Sequence, residues 1–126
     1  MRELGERVHC IGFIDQSDKA ALFHLADLAV FASFYEGFGF PPLEAMQQDV
    51  PVVASHTSAI PEILDAAALL VDPYDTAALA WALREGTNNQ VLREKLIQRG
   101  RAIVSRMRWH DTAAQTLAVF ESLTQK

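Results

Sequence analysis

Several features that would indicate other protein classes are scarce or absent in this 126-residue sequence. Cys10 is the only cysteine, so no disulfide can form within the chain, and its place in the apolar run Val8 to Ile14 indicates packing rather than reactivity. Lys and Arg number 11 against 16 Asp and Glu, and the net charge of −5 disfavours nucleic acid as a partner. The apolar stretch Ala20 to Phe34 is interrupted by His24 and Asp27, which argues against a transmembrane segment.

The start of the chain and its distribution of charge favour a simple organisation. Residues 1–7 have no apolar core and do not resemble a signal peptide, so we expect a cytoplasmic protein. No linker, repeat or low-complexity segment divides residues 1–126, which we interpret as one domain. Basic residues cluster between positions 93 and 108, and we interpret this cluster as a solvated helix face.

Short apolar runs alternate with helix-like segments along the first 71 residues. Strands are predicted at 7–14, 28–32, 50–55 and 68–71, with helices at 18–26, 41–48 and 59–64. Further helices are predicted from Asp75, from Asn88 or Asn89, and from about Trp109. Continuous apolar strands between helices are typical of parallel strands buried on both faces. The sequence therefore predicts an α/β fold with a doubly wound parallel sheet of about four strands and a helical C-terminal part, in which ligands bind beyond the carboxyl ends of the strands.

The loop after the second predicted strand combines glycines, prolines and two carboxylates. We expect Gly37 and Gly39 to adopt positive φ and to let a ligand approach the backbone closely. Pro41-Pro42 marks the start of a helix whose free N–H groups suit a phosphate. Glu36 before the helix and Glu44 within its first turns would face one crevice, with the phosphate between them.

Paired carboxylates beside a phosphate are expected when the ligand also carries sugar hydroxyls, because an ionised carboxylate is a strong acceptor for hydroxyl donors. Such a pair could hold a ribose on one side of a diphosphate and a hexose on the other. Each feature alone has an ordinary explanation: Glu44 as an acid near a helix N-terminus, the glycines as turn residues, and the phenylalanines as core. Their combination at the ligand end of a parallel sheet points to a binding site.

The stretch Tyr35 to Met46 resembles the signature of glycosyltransferase family 4 and its GT-B relatives, in which seven residues separate two glutamates. The likeness continues over most of the chain, in the segments 8–14, 51–55, 60–63 and 69–73 and at Trp109. It implies the C-terminal, nucleotide-sugar-binding domain of a retaining, metal-independent hexosyltransferase, with a Rossmann-like sheet. A nucleotide-diphosphate-sugar would be the co-substrate, and no cofactor is implied.

The resemblance assigns roles to matching positions. Glu36, the catalytic position, would accept hydrogen bonds from the donor's sugar, to which Gly37, Phe38 and Gly39 would present N–H groups. Leu43 would bring its N–H near the diphosphate, Glu44 would hold the ribose, and Phe13 and Ile14 would border the base. The sequence has no Asp-x-Asp motif and its four histidines are scattered, so no metal site is predicted.

The resemblance also implies parts that precede this chain in the family. An acceptor-binding domain would come first, and it would use a glycan or lipid-linked acceptor, at the inner face of the membrane in some enzymes. Two strands would then lie between 8–14 and 28–32 in the sheet order 3-2-1-4-5-6, and they would carry an Arg and a Lys for the leaving diphosphate. No Lys or Arg lies between Lys19 and Arg84, so we expect negligible activity from this chain alone. Unpaired strand edges predict self-association or a strand swap.

Three alternatives stay open on the sequence alone. A non-catalytic module could bind a nucleotide-sugar, which the absent basic pair and the unusual Asp65-Ala66, where the family often has Gly-Asp, would favour. A GT-B relative could epimerise a nucleotide-sugar, although the amino-acid sequence from Tyr35 to Met46 favours a transferase. An interaction domain could use a sheet edge and the basic last helices, and would have no nucleotide affinity.

Overall fold

A computed structural model describes residues 5–124 and contains a parallel sheet of three strands. The strands are β1 (Ala29–Phe31), β2 (Val52–Ser55) and β3 (Ala68–Val71), in the order β1-β2-β3. In the register, Val53 of β2 lies between Val30 of β1 and Leu69 of β3. The predicted α/β class and the parallel sheet are confirmed, with three strands rather than four.

The described part of the chain contains six α-helices. They are α1 (Gln16–His24), α2 (Phe40–Gln47), α3 (Ile60–Leu64), α4 (Thr76–Asn88), α5 (Gln90–Val104) and α6 (Trp109–Thr124), with 3-10 turns at Gly5–Arg7 and Asp65–Ala67. Two of the predicted caps form: Asp75 accepts from the N–H groups of the first turn of α4, and Asn89 accepts from Leu92 N–H in α5. Between residues 5 and 124, no helix is both long and apolar enough to cross a membrane.

The central strand β2 is covered on both faces, as a doubly wound sheet requires. Val52 and Ala54 belong to a buried cluster with Met46 of α2 and Leu64 of α3. Val53 points to the other face and packs in a second cluster that contains Ala82 of α4. The alternation of these side chains along β2 explains why the segment reads as a continuous apolar run.

The predicted first strand does not form. Residues 8–14 have no strand conformation, and Ile11 and Phe13 are 60% and 92% exposed. Without the two strands that the family places between them, 8–14 and β1 could pair directly. The structure does not contain this pairing, since β1 pairs on one side only, with β2. A strand needs a neighbour to satisfy its backbone N–H and C=O groups, and no described strand lies beside 8–14. Among residues 5–124, no strand therefore pairs with the second edge of β1.

Helix α6 extends away from the core. None of its residues is buried, and Leu117 and Phe120, which share one helix face, are 56% and 60% exposed. The spacing of these apolar residues correctly predicts a helix, because it follows the helical period. The spacing does not predict that this face is left exposed by the described residues.

Three arginines of the basic cluster in α5 bind oxygen atoms of neighbouring segments. Arg93 Nη1 donates to the backbone carbonyls of Asp27 (2.5 Å) and Gly86 (2.8 Å), and Arg99 Nη1 donates to the carbonyl of Ala66 (2.9 Å). Arg101 binds the Asp49 carboxylate through two nitrogens, at 2.6 and 2.7 Å. These hydrogen bonds, followed by a weaker Coulombic attraction, hold the pKa of Asp49 below its usual value. Arg99 and Arg101 are nevertheless exposed, as a solvated helix face predicts, whereas Arg93 is half-buried.

Asp65 has a backbone conformation that suits glycine. Its φ of +42° and ψ of −132° match the first central position of a type II′ turn, and its carboxylate makes no hydrogen bond to a described residue. Such a conformation costs a non-glycine residue about 1–3 kcal/mol. The departure from the family's Gly-Asp at this turn is therefore a source of strain.

Asp65→Gly is expected to stabilise the chain by about 1 kcal/mol, because relief of strain exceeds the extra entropy of glycine in the unfolded chain. Urea unfolding measures the change. Ala66→Gly is the matched control: Ala66 has no positive φ, so its replacement is expected to lower the free energy of unfolding. A lower stability of Asp65→Gly than of the parent chain would show that the turn is unstrained.

Candidate functional site

The loops that follow β1 and β2 meet at the carboxyl-end edge of the sheet. Ser33 Oγ donates to Glu36 Oε1 at 2.8 Å, and the Glu36 backbone N–H donates to Ser58 Oγ at 2.9 Å. Thr57 Oγ1 adds a bond to the Ser33 carbonyl at 3.4 Å. Glu36 is thus held through both its carboxylate and its backbone, and its side chain is only partly exposed. This fixed carboxylate lies where ligands bind in parallel α/β sheets.

The two glycines of the loop after β1 differ in what they require. Gly39 has φ +103°, and a Cβ there would lie 2.6 Å from Cδ1 of the buried Ile60. Gly37 has no positive φ, and nothing lies within 4 Å of the position that its Cβ would take. The expectation of positive φ is confirmed at Gly39 and was wrong at Gly37. The backbone of Gly37 is open to a ligand, whereas Gly39 makes a tight turn into α2.

Helix α2 offers fewer free donors at its start than a typical helix. Gly39 is its N-cap residue in a left-handed conformation, and Pro41 and Pro42 in the first turn have no N–H. No backbone hydrogen bond joins Leu43 N–H to the Gly39 carbonyl, which a regular helix would contain. An anion at this helix start would therefore meet the N–H of Phe40 and, next along the chain, that of Leu43.

Glu44 projects from the outer side of α2 and forms an ion pair with Lys19 of α1. Glu44 Oε2 is buried, and it contacts the ammonium group of Lys19, which offsets the cost of burying this charge. Glu44 is thus a candidate acceptor whose single cation is already in place.

A groove of about 430 Å³ lies between α2, the end of α5 and the start of α6, and we call it the α2–α6 groove. Its lining includes three of the predicted site residues, Phe38, Leu43 and Glu44. A smaller cavity of about 150 Å³ lies on the other side of Glu44, next to Lys19. Glu36, Gly37 and Gly39 line neither of them. The two glutamates are therefore on one loop–helix unit, and of the two only Glu44 lines these cavities.

The residues predicted to border a base lie apart from these cavities. Phe13 is almost fully exposed and Ile14 is half-buried, and neither lines the α2–α6 groove or the smaller cavity. Their role as a border of the base therefore stays a prediction.

Sequence reasoning missed three residues that line the groove: Arg106, Arg108 and Trp109. The two arginines were part of the basic cluster, and Trp109 was noted as the start of the last helix. Only the turn between α5 and α6 brings them beside Phe40 and Glu44, and the helical period of each segment does not encode that turn. Within residues 5–124, no group of three or more His, Cys, Asp or Glu could hold a metal ion.

Comparison with known proteins shows which family has this sequence and fold. Residues 1–103 match the model of the family described as glycosyl transferases group 1. The chain is 34% identical over 116 residues to O-antigen chain mannosyltransferase B of Escherichia coli, covering 92% of this chain and 30% of that protein. It is 36% identical over 123 residues to phosphatidyl-myo-inositol mannosyltransferase of Mycobacterium leprae, covering 95% of this chain and 33% of that protein.

A solved structure agrees with the sequence matches. Sucrose-phosphate synthase from Thermosynechococcus elongatus superposes with a TM-score of 0.86 at 31% identity, covering 96% of this chain and 31% of that chain. The chain therefore spans about a third of the length of these relatives. The expected GT-B architecture is confirmed, since the structural relatives are GT-B glycosyltransferases. The chain belongs to the glycosyl transferases group 1 family.

Proposed function

We propose that this chain binds a nucleotide-diphosphate-sugar donor as part of a retaining, metal-independent hexosyltransferase. The sugar would be held at Glu36 and at the backbone of residues 37–39, the diphosphate at the start of α2, and the ribose at Glu44. Phe13 and Ile14 would border the base. Because the relatives from Escherichia coli and Mycobacterium leprae are named mannosyltransferases, a mannose donor is the first to test.

The observation that carries the proposal is the fixed position of Glu36 at the ligand end of the sheet. Ser33 and Ser58 hold its carboxylate and its backbone before any ligand arrives. The adjacent Gly37 leaves open space in which a sugar can reach backbone donors. Preorganised acceptors and donors bind a ligand without the cost of ordering them.

The chain supplies little positive charge to a leaving diphosphate. Among the described residues, Lys19 is the one cation ion-paired with Glu44, and Arg106 and Arg108 line the α2–α6 groove rather than the loop at Glu36. Two positions in the first turn of α2 lack an N–H. Loss of a preorganised donor costs about 2.7–4 kcal/mol of transition-state stabilisation. We therefore propose that the chain binds its donor but has negligible transferase activity alone.

The proposal extends to the protein in its cell. The full enzyme would act in the cytoplasm, in polysaccharide biosynthesis, on a glycan or lipid-linked acceptor at the inner face of the membrane. The chain alone would self-associate, because β1 presents an open edge and α6 presents an exposed apolar face. Neither the open edge of β1 nor the apolar face of α6 depends on donor recognition at Glu36 and Glu44.

Glu44→Gln is expected to lower the affinity for the free nucleoside diphosphate and for the nucleotide-sugar about tenfold or more, because the ribose hydroxyls lose a charged acceptor. Ligand-observed NMR with GDP, UDP and their hexose derivatives measures the affinities. Glu62→Gln, which changes an exposed glutamate of α3, is the matched control and should leave them unchanged.

Lys19→Gln separates the carboxylate from its ion pair. If donor binding depends on the Glu44 carboxylate itself, Lys19→Gln retains most of the affinity. Equal losses in Lys19→Gln and Glu44→Gln would show that the ion pair, not ribose recognition, is needed. Donor binding that Glu44→Gln leaves unchanged would contradict the assigned role.

A further inference from the structure

Ser58 occupies a turn position that usually belongs to glycine. It is the first central residue of the turn from Thr57 to Ile60, in which the Ile60 N–H donates to the Thr57 carbonyl at 3.3 Å. Its φ is +51°, and Ala59 follows with φ −76° and ψ −15°, as in a type II′ turn. A serine rarely adopts a positive φ, because its Cβ then crowds the backbone. The turn itself therefore does not explain why a serine is present here.

The other non-glycine residues with positive φ in the described part of the chain are both aspartates. Asp49 and Asp65 belong to the residue type that tolerates this conformation best after glycine and asparagine. Ser58 differs from them in residue type and in its hydrogen bond. Its Oγ accepts the backbone N–H of Glu36, which lies 22 residues earlier in the chain, at 2.9 Å.

The hydrogen bond to Glu36 does not explain the strain at Ser58 through stability alone. The bond is exposed, so water replaces both partners when the chain unfolds. One such bond typically stabilises a fold by less than a left-handed non-glycine residue destabilises it. Strained backbone that stability does not explain is typical of binding and active sites.

Ser58 and its neighbour Thr57 join the loop after β2 to the loop after β1. Thr57 Oγ1 donates to the Ser33 carbonyl, and Ser33 Oγ donates to the Glu36 carboxylate. Ser58 holds the other end of the segment 33–36, at the Glu36 backbone. Without the Ser58 hydroxyl, only Ser33 would hold Glu36, and the Glu36 backbone would be free to rotate. The orientation of Glu36 and of the following Gly37 therefore depends on Ser58.

We propose that Ser58 is a positioning residue, which keeps the Glu36 carboxylate and the Gly37 backbone in place for the hexose of the donor. This inference rests on the proposed function of Glu36. A loop that is ordered before the ligand arrives binds it without the cost of ordering, so the strain at Ser58 serves affinity rather than stability. Glu44, at the proposed ribose position, pairs with Lys19 instead, so Ser58 affects binding of the hexose and not of the nucleotide.

Ser58→Gly removes the hydroxyl and relieves the backbone strain. Its affinity for a nucleotide-hexose is expected to fall about threefold to tenfold, as for the loss of one neutral hydrogen bond, while its affinity for the free nucleoside diphosphate is unchanged. Its midpoint of urea unfolding is expected to be no lower than that of the parent chain, because relief of strain offsets the lost bond and the entropy of glycine. Calorimetric titration with GDP-mannose and GDP, and with UDP-hexoses and UDP, measures the affinities.

Ser58→Ala is the second variant, because it removes the hydroxyl but retains the strained backbone. It should lose as much nucleotide-hexose affinity as Ser58→Gly, and it should unfold at a lower urea concentration. Asp65→Gly is the matched control: it relieves strain in the turn before β3, at the opposite end of the sheet from Glu36, and should bind both ligands as the parent chain does.

Three results would overturn the role of Ser58 and leave donor binding at Glu36 intact. They are unchanged nucleotide-hexose affinity in both Ser58 variants, equal losses of affinity for the nucleotide-hexose and the free nucleoside diphosphate, and a loss in Ser58→Gly that Ser58→Ala does not share. The last result would assign the effect to the flexibility of glycine rather than to the hydroxyl. A parent chain that binds no nucleotide-hexose would contradict the proposed function itself, and the role of Ser58 with it.

Discussion

Gly39→Ala is expected to destabilise the chain by about 2–4 kcal/mol. A non-glycine residue at φ +103° has a strained backbone, which costs about 1–2 kcal/mol or more. The new Cβ would also meet Ile60 Cδ1 at 2.6 Å, and because Ile60 is 1% exposed its side chain has no open space to enter. Forcing extra volume into a packed site costs about 1–3 kcal/mol. Urea unfolding of the parent and the variant measures the loss.

Gly37→Ala is the matched control in the same loop. Its Cβ would enter open space and its φ is not positive, so stability should change by no more than about 0.5 kcal/mol. Donor affinity should nevertheless fall, since the methyl group would occupy the space proposed for the sugar. Equal destabilisation by the two substitutions would mean that the loop is not shaped as described.

Glu36→Gln is expected to separate the sugar from the nucleotide. The amide keeps the size of the side chain and can still accept from Ser33, but it loses the charge that sugar hydroxyls would bind. Affinity for a nucleotide-hexose should fall about tenfold to a hundredfold, as expected for loss of a charged hydrogen bond, while affinity for the free nucleoside diphosphate should not change. Calorimetric titration with both ligands gives the two values.

The comparison with Glu44→Gln makes this prediction specific. Substitution at the proposed ribose position should lower the affinity for both ligands. Substitution at the proposed sugar position should lower only the affinity for the nucleotide-hexose. A parallel loss of both ligands in Glu36→Gln would show that Glu36 organises the loop through Ser33 and Ser58 rather than binding the hexose.

Local signals in the sequence predicted the elements that pack against the core. The run 50–55 reads as a buried parallel strand because both faces of β2 are covered. The two prolines at 41 and 42 mark the start of α2, and Asp75 and Asn89 mark the starts of α4 and α5. In each case one short stretch of chain contains the physical cause of the structure.

Features that depend on distant partners could not be predicted in this way. The apolar run at 8–14 has the composition of a strand, but the described part of the chain contains no neighbouring strand to pair with it. Glu36 and Glu44 were correctly placed on one loop–helix unit, but their partners Ser58 and Lys19 come from other segments of the chain, which the local pattern does not encode. The α2–α6 groove depends on the turn that brings Trp109 onto Phe40, which no local pattern encodes.

Mapping backbone amide shifts of the chain during titration with GDP-mannose and other nucleotide-hexoses tests donor binding most directly. We predict saturable shifts concentrated in residues 33–44 and in the neighbouring loop at 56–58, where Ser58 contacts Glu36. Shifts confined to other parts of the chain, or none with any nucleotide-hexose, would contradict the proposal that this loop and helix bind the donor.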